Sequence, residues 1–217
     1  YPARAARGDV AEAWQHQQTI AAGFVQTDWR PAEDLTLNLG LRYEYRTPLV
    51  EARDRQVTFD LATGEPRFAG RDGNSRALYE PFTNDWQPRV GVVWAPSRYE
   101  GRRALRAGYG VSSFQEGTGT NLRLPLNPPY FNELDLTNSA AAVGLPVERG
   151  FEGIRERDAM TGAVLRALDP NYRPARSPQW HVTGEAAVGS FLFSVGYVGQ
   201  IGSHLAVPLN ANQASEP

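Results

Sequence analysis

The feature that most constrains the fold is a strict two-residue alternation over Leu35–Arg46. Its odd-numbered positions hold four leucines and then two tyrosines, whereas its even-numbered positions are polar or glycine. A period of two places these sets on opposite faces of a β-strand, whereas a helix would scatter them around its circumference. The run is about twice as long as a usual soluble-protein strand. Tilted by about 40°, it spans about 25–30 Å, close to the apolar band of an outer-membrane barrel.

Five more segments alternate in this way, and short turns join the six into hairpins. The predicted strands cover residues 19–30, 35–46, 87–95, 103–114, 179–188 and 191–200. The hairpins therefore lie near 19–46, 87–114 and 179–200, with Trp29 and Trp94 expected at the same, short-turn end. The long connections 47–86 and 115–178 are rich in Pro, Gly and charge. Within them we expect a local hairpin near residues 57–64 and a short helix near 153–168.

Short turns at one end and long loops at the other are typical of outer-membrane barrels and rare in compact soluble domains. The predicted fold class is therefore all-β: an antiparallel up-and-down meander of about six long strands. The sheet is expected to be part of a larger transmembrane β-barrel with long external loops. Its aliphatic face should be convex and bare, and its polar face concave.

Composition removes several classes of function. The chain has no cysteine, which excludes disulfide scaffolds, thiol catalysis and Cys-ligated zinc. Its net charge of −2 argues against a nucleic-acid partner. The three histidines, His16, His181 and His204, are too scattered for a metal site. We therefore expect no catalytic, cofactor-binding or metal-binding residue and no enzymatic activity.

The residues with expected functions lie on the predicted strands. Charged side chains of the polar face are expected to line the lumen: Arg42, Glu44, Arg46, Arg89, Arg106 and Glu185. Aromatic side chains near the strand ends are expected at the membrane interface: Trp29, Tyr43, Tyr45 and Trp94. Glycines on the polar face are expected either to let a plug or the curvature of the strand come close, or to mark a bulge or local kink: Gly40, Gly108, Gly110 and Gly196.

Five phrases of the sequence together resemble the barrel of TonB-dependent outer-membrane receptors, most closely the Oar-like group. They are FVQTDWR (24–30), LTLNLGLRYEY (35–45), QPRVGVVWAP (87–96), LRAGYG (105–110) and VGYVGQIGSHL (195–205). No single phrase is specific, but the five occur in the family's order and spacing. The resemblance implies a transporter in the outer membrane of a Gram-negative bacterium.

It further implies a barrel of about 22 strands around a plug domain, energised by the TonB complex. Residues 1–217 contain no counterpart of the plug, the TonB box or a terminal aromatic strand, so we expect an internal piece of the barrel. The expected partners are outer-membrane lipid, the protein's own plug, TonB and an external substrate. The substrate class stays open between siderophore, glycan, peptide and exported protein.

Two other functions remain open from the sequence. A secreted β-sandwich or propeller-like carbohydrate-binding module would bury the leucine face against a second sheet. A hydrolase would need paired carboxylates in the loops, for which Asp54, Asp60 and Glu80 are the candidates.

Overall fold

The computed structural model describes residues 4–10, 13–115, 121–137 and 164–211. Its strands are β1 (Arg4–Val10), β2 (His16–Gln17), β3 (Ile20–Ala32), β4 (Leu35–Arg46), β5 (Val50–Glu51), β6 (Val57–Phe59), β7 (Pro66–Phe68), β8 (Trp86–Trp94), β9 (Arg103–Phe114), β10 (Phe131–Thr137), β11 (Ala175–Val188) and β12 (Phe191–Gln200). Two short 3₁₀ helices cover Ser97–Tyr99 and Asn121–Leu126. None of the helices in these ranges is long and apolar enough to cross a membrane.

The long strands form one antiparallel sheet in the order β12-β11-β9-β8-β4-β3. Each long strand therefore pairs with the next long strand along the chain, and the predicted six-stranded meander is confirmed. The local hairpin is also present, as β6 paired with β7. Three smaller two-stranded sheets lie outside this meander. Sheet β6-β7 lies within one connection, whereas β1-β10 and β2-β5 each pair a strand of the segment before β3 with a strand of a connection.

The structure corrects two strand boundaries and one predicted helix. Strand β11 begins at Ala175, earlier than the predicted residue 179. Strand β3 continues through Pro31, with a register shift between Trp29 and Ala32. Because β3 is an edge strand, a proline there removes no hydrogen bond from a central ladder. No helix is present over 164–168, the described part of the expected helix at 153–168, and the rest of that segment lies outside the described residues.

The pairing register separates an apolar outer face from a polar inner face. On the outer face, Leu37 of β4 pairs with Trp29 on one side and Val92 on the other. On the inner face, Gly40 pairs with Gln26 and with Arg89. The outer face carries exposed apolar side chains along its whole width: Val25, Trp29, Leu39, Leu41, Val90, Trp94, Leu105, Tyr109, Val182, Phe193, Val195 and Tyr197.

No second sheet covers that outer face in the part of the chain that the structure describes. On the edge strands, Val25 is 68% and Val195 77% exposed. A soluble sandwich would bury this face, because exposed apolar patches of such size are rare in monomeric soluble proteins. The face is therefore suited to hydrocarbon.

The described parts of the two long connections pack together into a unit that we call the loop cap, residues 47–85, 121–130 and 164–174. Its members include a cluster of buried apolar residues: Ala69, Ala77, Leu78, Tyr79, Leu124 and Leu168. Val57 of β6 is also fully buried. Among the described residues, the buried apolar core thus lies mainly in the loops and not against the sheet. The sequence pattern, which indicated loops with minor local elements, did not predict this core.

Candidate functional site

The inner face of the sheet lines a concavity of about 600 Å³. Two rows of paired residues cross its floor. In one row Arg89 lies between Gly40 and Gly110, and in the next Gly91 lies between Asn38 and Gly108. The four glycines carry no side chains of their own, so neighbouring side chains pack against the backbone at the centre of the wall.

Polar side chains of neighbouring strands lie over two of these glycines. The His181 imidazole occupies the space above Gly108 so closely that a Cβ on residue 108 would overlap its ring. Asn38 lies similarly against Gly91 and donates from its amide to Asp28 Oδ1 at 2.6 Å. The pairing register shows no shift at any of the predicted polar-face glycines, so the bulge interpretation is wrong. These glycines are Gly40, Gly108, Gly110 and Gly196. At Gly108 the missing side chain makes room for a histidine.

A network of paired charged side chains lies at the loop-cap end of the inner face. Glu44 is buried and binds two guanidinium groups: that of Arg42 at 2.6 Å and that of Arg46. Arg46 also binds Asp85 Oδ2 at 2.9 Å and donates to Ser113 Oγ at 3.1 Å. Buried charges are costly unless they are paired and hydrogen-bonded, and this network satisfies that condition for Glu44 and Arg46. It ties strands β4 and β9 to the end of the loop before β8.

The six predicted polar-face charges fall into two groups. Arg42, Glu44 and Arg46 lie together in the network, whereas Arg89 and Arg106 line the open concavity. Arg106 makes a long, exposed ion pair of 3.4 Å with Glu185. All six share the inner face; that this face borders a lumen stays a prediction.

Sequence reasoning missed three members of the network, Asp85, Gln87 and Ser113. Gln87 donates to Ser113 Oγ at 3.0 Å, and Ser113 in turn hydrogen-bonds Asp85. The two-residue alternation could not indicate Asp85 as a member of the network, because this residue precedes the first residue of β8 and belongs to no strand. Its nearness to Arg46 depends on the fold of the loop.

The predicted aromatic residues occupy two ends of the outer face. Trp29 and Trp94 pair with Leu37 and Leu35, close to the β3–β4 turn, so both lie at the short-turn end as predicted. Tyr43 lies at the other end, where its ring is 4.6 Å from that of Trp86 and its hydroxyl donates to the Thr83 carbonyl at 2.9 Å. Tyr45 lies two positions further along β4. Their function as membrane-interface residues stays a prediction.

Hydrogen bonds from buried polar side chains hold the two halves of the loop cap together. Asn127 is fully buried, and its amide nitrogen donates to the carbonyl of Val57 at 2.6 Å and to that of Arg166 at 2.7 Å. Its amide oxygen accepts from the Arg166 backbone N–H at 2.8 Å. The Leu168 N–H donates to Thr58 Oγ1 at 3.1 Å. The cap is therefore one hydrogen-bonded unit.

A second buried polar group, Glu51, joins the cap to the segment before β3. Burial opposes ionisation of its carboxyl. The Arg55 guanidinium and the backbone N–H groups of Arg55, Arg53 and Gln15 donate to it and outweigh that effect, lowering the pKa of Glu51 to about 2. The ionised carboxylate therefore satisfies three backbone donors that belong to two separate segments.

Two of the three candidate carboxylates of a hydrolase, those of Asp54 and Asp60, have structural contacts. Asp54 forms an ion pair with Arg76 at 2.6 Å. Asp60 accepts from the N–H groups of Ala62 and Thr63 in the β6–β7 turn, and these bonds lower the pKa of the Asp60 carboxyl. In the described ranges, no group of three or more His, Cys, Asp or Glu side chains is placed to hold a metal ion.

Comparison with known proteins gives one match. A family model described as an outer membrane beta barrel domain matches residues 1–217. No curated protein and no solved structure matches the chain.

Proposed function

Because this chain belongs to the outer membrane β-barrel family, we propose that it supplies wall strands and external loops of a TonB-dependent transporter of the Oar-like kind. Membership of the family places it in the outer membrane of a Gram-negative bacterium, with membrane lipid around its outer face. The proposal extends this to uptake of an external substrate, with a plug domain inside the barrel and energy from TonB.

The observation that carries the proposal is the loop cap. Its buried core and the bonds of Asn127 give the two long loops one fixed arrangement at the end of the sheet opposite the short turns. In outer-membrane barrels the long loops face the exterior and the short turns face the periplasm. A preorganised external surface suits selective capture, since less ordering has to accompany binding.

The inner face supports the next step. A plug that fills a barrel must approach the wall closely. The glycines Gly40, Gly91, Gly108 and Gly110 suit that approach, because neighbouring side chains such as His181 can pack down against the backbone there. Displacement of the plug would then expose a wall lined by Arg89, Arg106 and amide side chains, along which a polar substrate passes. This mechanism forms and breaks no covalent bond, so the proposal includes no enzymatic activity.

The test is binding between the full-length protein and the periplasmic domain of TonB from the same bacterium. The protein, purified in detergent, is titrated with that domain by calorimetry, and a porin from the same membrane is the control. Saturable binding by the full-length protein alone supports energy-coupled transport. Absence of binding, together with a steady open-pore conductance in planar bilayers, would contradict it in favour of a passive channel.

A further inference from the structure

An arginine pair lies over a tyrosine ring in the short turn between β8 and β9. The guanidinium carbons of Arg98 and Arg103 are 4.8 Å and 4.3 Å from the ring centroid of Tyr99. A cation over an aromatic face is held by the ring quadrupole. This contact uses the positive charge of the guanidinium and leaves its N–H donors available to a further acceptor.

Neither guanidinium has an acidic partner within the part of the chain that the structure describes. The described ion pairs and side-chain hydrogen bonds do not include Arg98 or Arg103. The acidic residues of the neighbouring turns, Glu33, Asp34 and Glu100, form none of these pairs either. Both arginines are exposed. The turn thus presents two uncompensated positive charges with free donors.

Arg103 lies on the outer face of the sheet, next to the apolar band. Arg103 pairs with Ala186, which pairs with Phe193, so Arg103 belongs to the outer face. Leu105, two positions along β9, pairs with Trp94 on the same face. The arginine therefore lies directly beyond the apolar band, at the depth where an outer-membrane barrel meets lipid headgroups.

We propose that this turn is a binding site for an anionic phospholipid of the periplasmic leaflet. The headgroup phosphate would accept hydrogen bonds from Arg98 and Arg103, because a guanidinium matches the geometry of phosphate oxygens. The acyl chains would lie along the exposed side chains of Trp94, Leu105 and Phe193. Charge and apolar surface meet at one place on this rim, as recognition of a lipid requires. The site depends on the barrel's membrane setting and not on energy coupling by TonB.

The experiment compares two lipids on the full-length protein in detergent. Native mass spectrometry follows the binding of phosphatidylglycerol and of phosphatidylcholine with identical acyl chains. We expect Arg103→Gln to weaken phosphatidylglycerol binding about fivefold, the effect of one basic residue near a lipid surface, and to leave phosphatidylcholine unchanged. Arg98→Gln should act in the same direction, and its position in the exposed turn makes it a second test that does not alter a strand.

The matched control is Arg71→Gln. The Arg71 guanidinium also lies over an aromatic ring, that of Phe68 at 5.5 Å, but it belongs to the loop cap. An equal loss of phosphatidylglycerol binding in this variant, or no loss in either turn variant, would overturn the site. A titration with inorganic phosphate distinguishes a lipid headgroup from a free phosphate ion as the group that the two arginines bind. Displacement of the lipid by millimolar phosphate would reassign the turn to a free anion and refute the lipid proposal.

Discussion

At the scale of single residues, His181 packs more closely on Gly108 than any other side chain does on a glycine of the described inner face. A Cβ at residue 108 would overlap the imidazole, whereas nothing lies within 4 Å of a Cβ built on Gly184 of β11. We expect Gly108→Ala to destabilise the full barrel by about 1–3 kcal/mol, a usual cost of overpacking. Gly184→Ala should cost much less. Urea unfolding in lipid vesicles, followed by tryptophan fluorescence, measures both.

The cause can be separated from backbone effects with a double variant. His181→Ala removes the ring that the new methyl group meets, so it should relieve most of the cost of Gly108→Ala. A double variant as unstable as the sum of its single variants would show that the two residues do not interact.

A second single-residue prediction concerns pH and the loop cap. The pKa of Glu51 is lowered from 4.5 to about 2 in the folded protein, so its ionised form stabilises the cap. That contribution is fully present at neutral pH and is lost as pH falls from about 4.5 towards 2. We expect the amides of Gln15, Arg53 and Arg55 to lose hydrogen-exchange protection in this window. Glu51→Gln should lower their protection at pH 7 already.

The control for this prediction is Glu65→Gln, which neutralises an exposed carboxylate in the same loop. It should leave the three amides protected at pH 7. Equal protection at pH 7 and pH 3 in the unaltered protein would show that the carboxylate does not hold the two segments together.

At the scale of elements, each long strand should tolerate charge on one face and not on the other. Val25 and Gln26 are neighbours on β3, with Val25 on the outer face opposite Leu41 and Gln26 on the inner face opposite Gly40. We expect Val25→Arg to cost about 2–4 kcal/mol of folding free energy in vesicles, as for arginine in hydrocarbon. Gln26→Arg adds the same charge to the polar wall and should cost little. Equal costs would contradict the assignment of the faces.

The elements also show what the sequence could predict and what it could not. Strand β4 was predictable to its ends because alternation is a local signal that each neighbouring pair of residues repeats. The signal is weaker in β3, where the apolar Phe24 lies on the inner face opposite Arg42.

The loop cap and the charge network carried no such signal. Asn127 meets Val57 across 70 positions of sequence, and Arg46 meets Asp85 across 39. Neither pair belongs to a periodic run, so their contacts follow only from the folded path of the loops. One half of the network consists of Arg42, Glu44 and Arg46. Their place on one face was predictable, because all three belong to one strand.

At the scale of the whole molecule, the two edge strands of the sheet need pairing partners. Within the described residues, the outer edges of β3 and β12 pair with no further strand. The six strands of the sheet in the described residues are also fewer than the eight of the smallest outer-membrane barrels. Each backbone group left unpaired in hydrocarbon costs several kcal/mol, so a stable wall requires a strand beyond each edge.

We therefore expect residues 1–217, produced alone, to form no stable monomer in lipid vesicles, whereas the full-length protein does. Hydrogen exchange gives the sharper measurement. In the full-length protein the amides of β3 and β12 should be protected as strongly as those of the central strand β9, because both edges are then paired. A monomer of residues 1–217 with protected amides in all three strands would contradict this, since its edges could only be satisfied by a smaller, closed sheet.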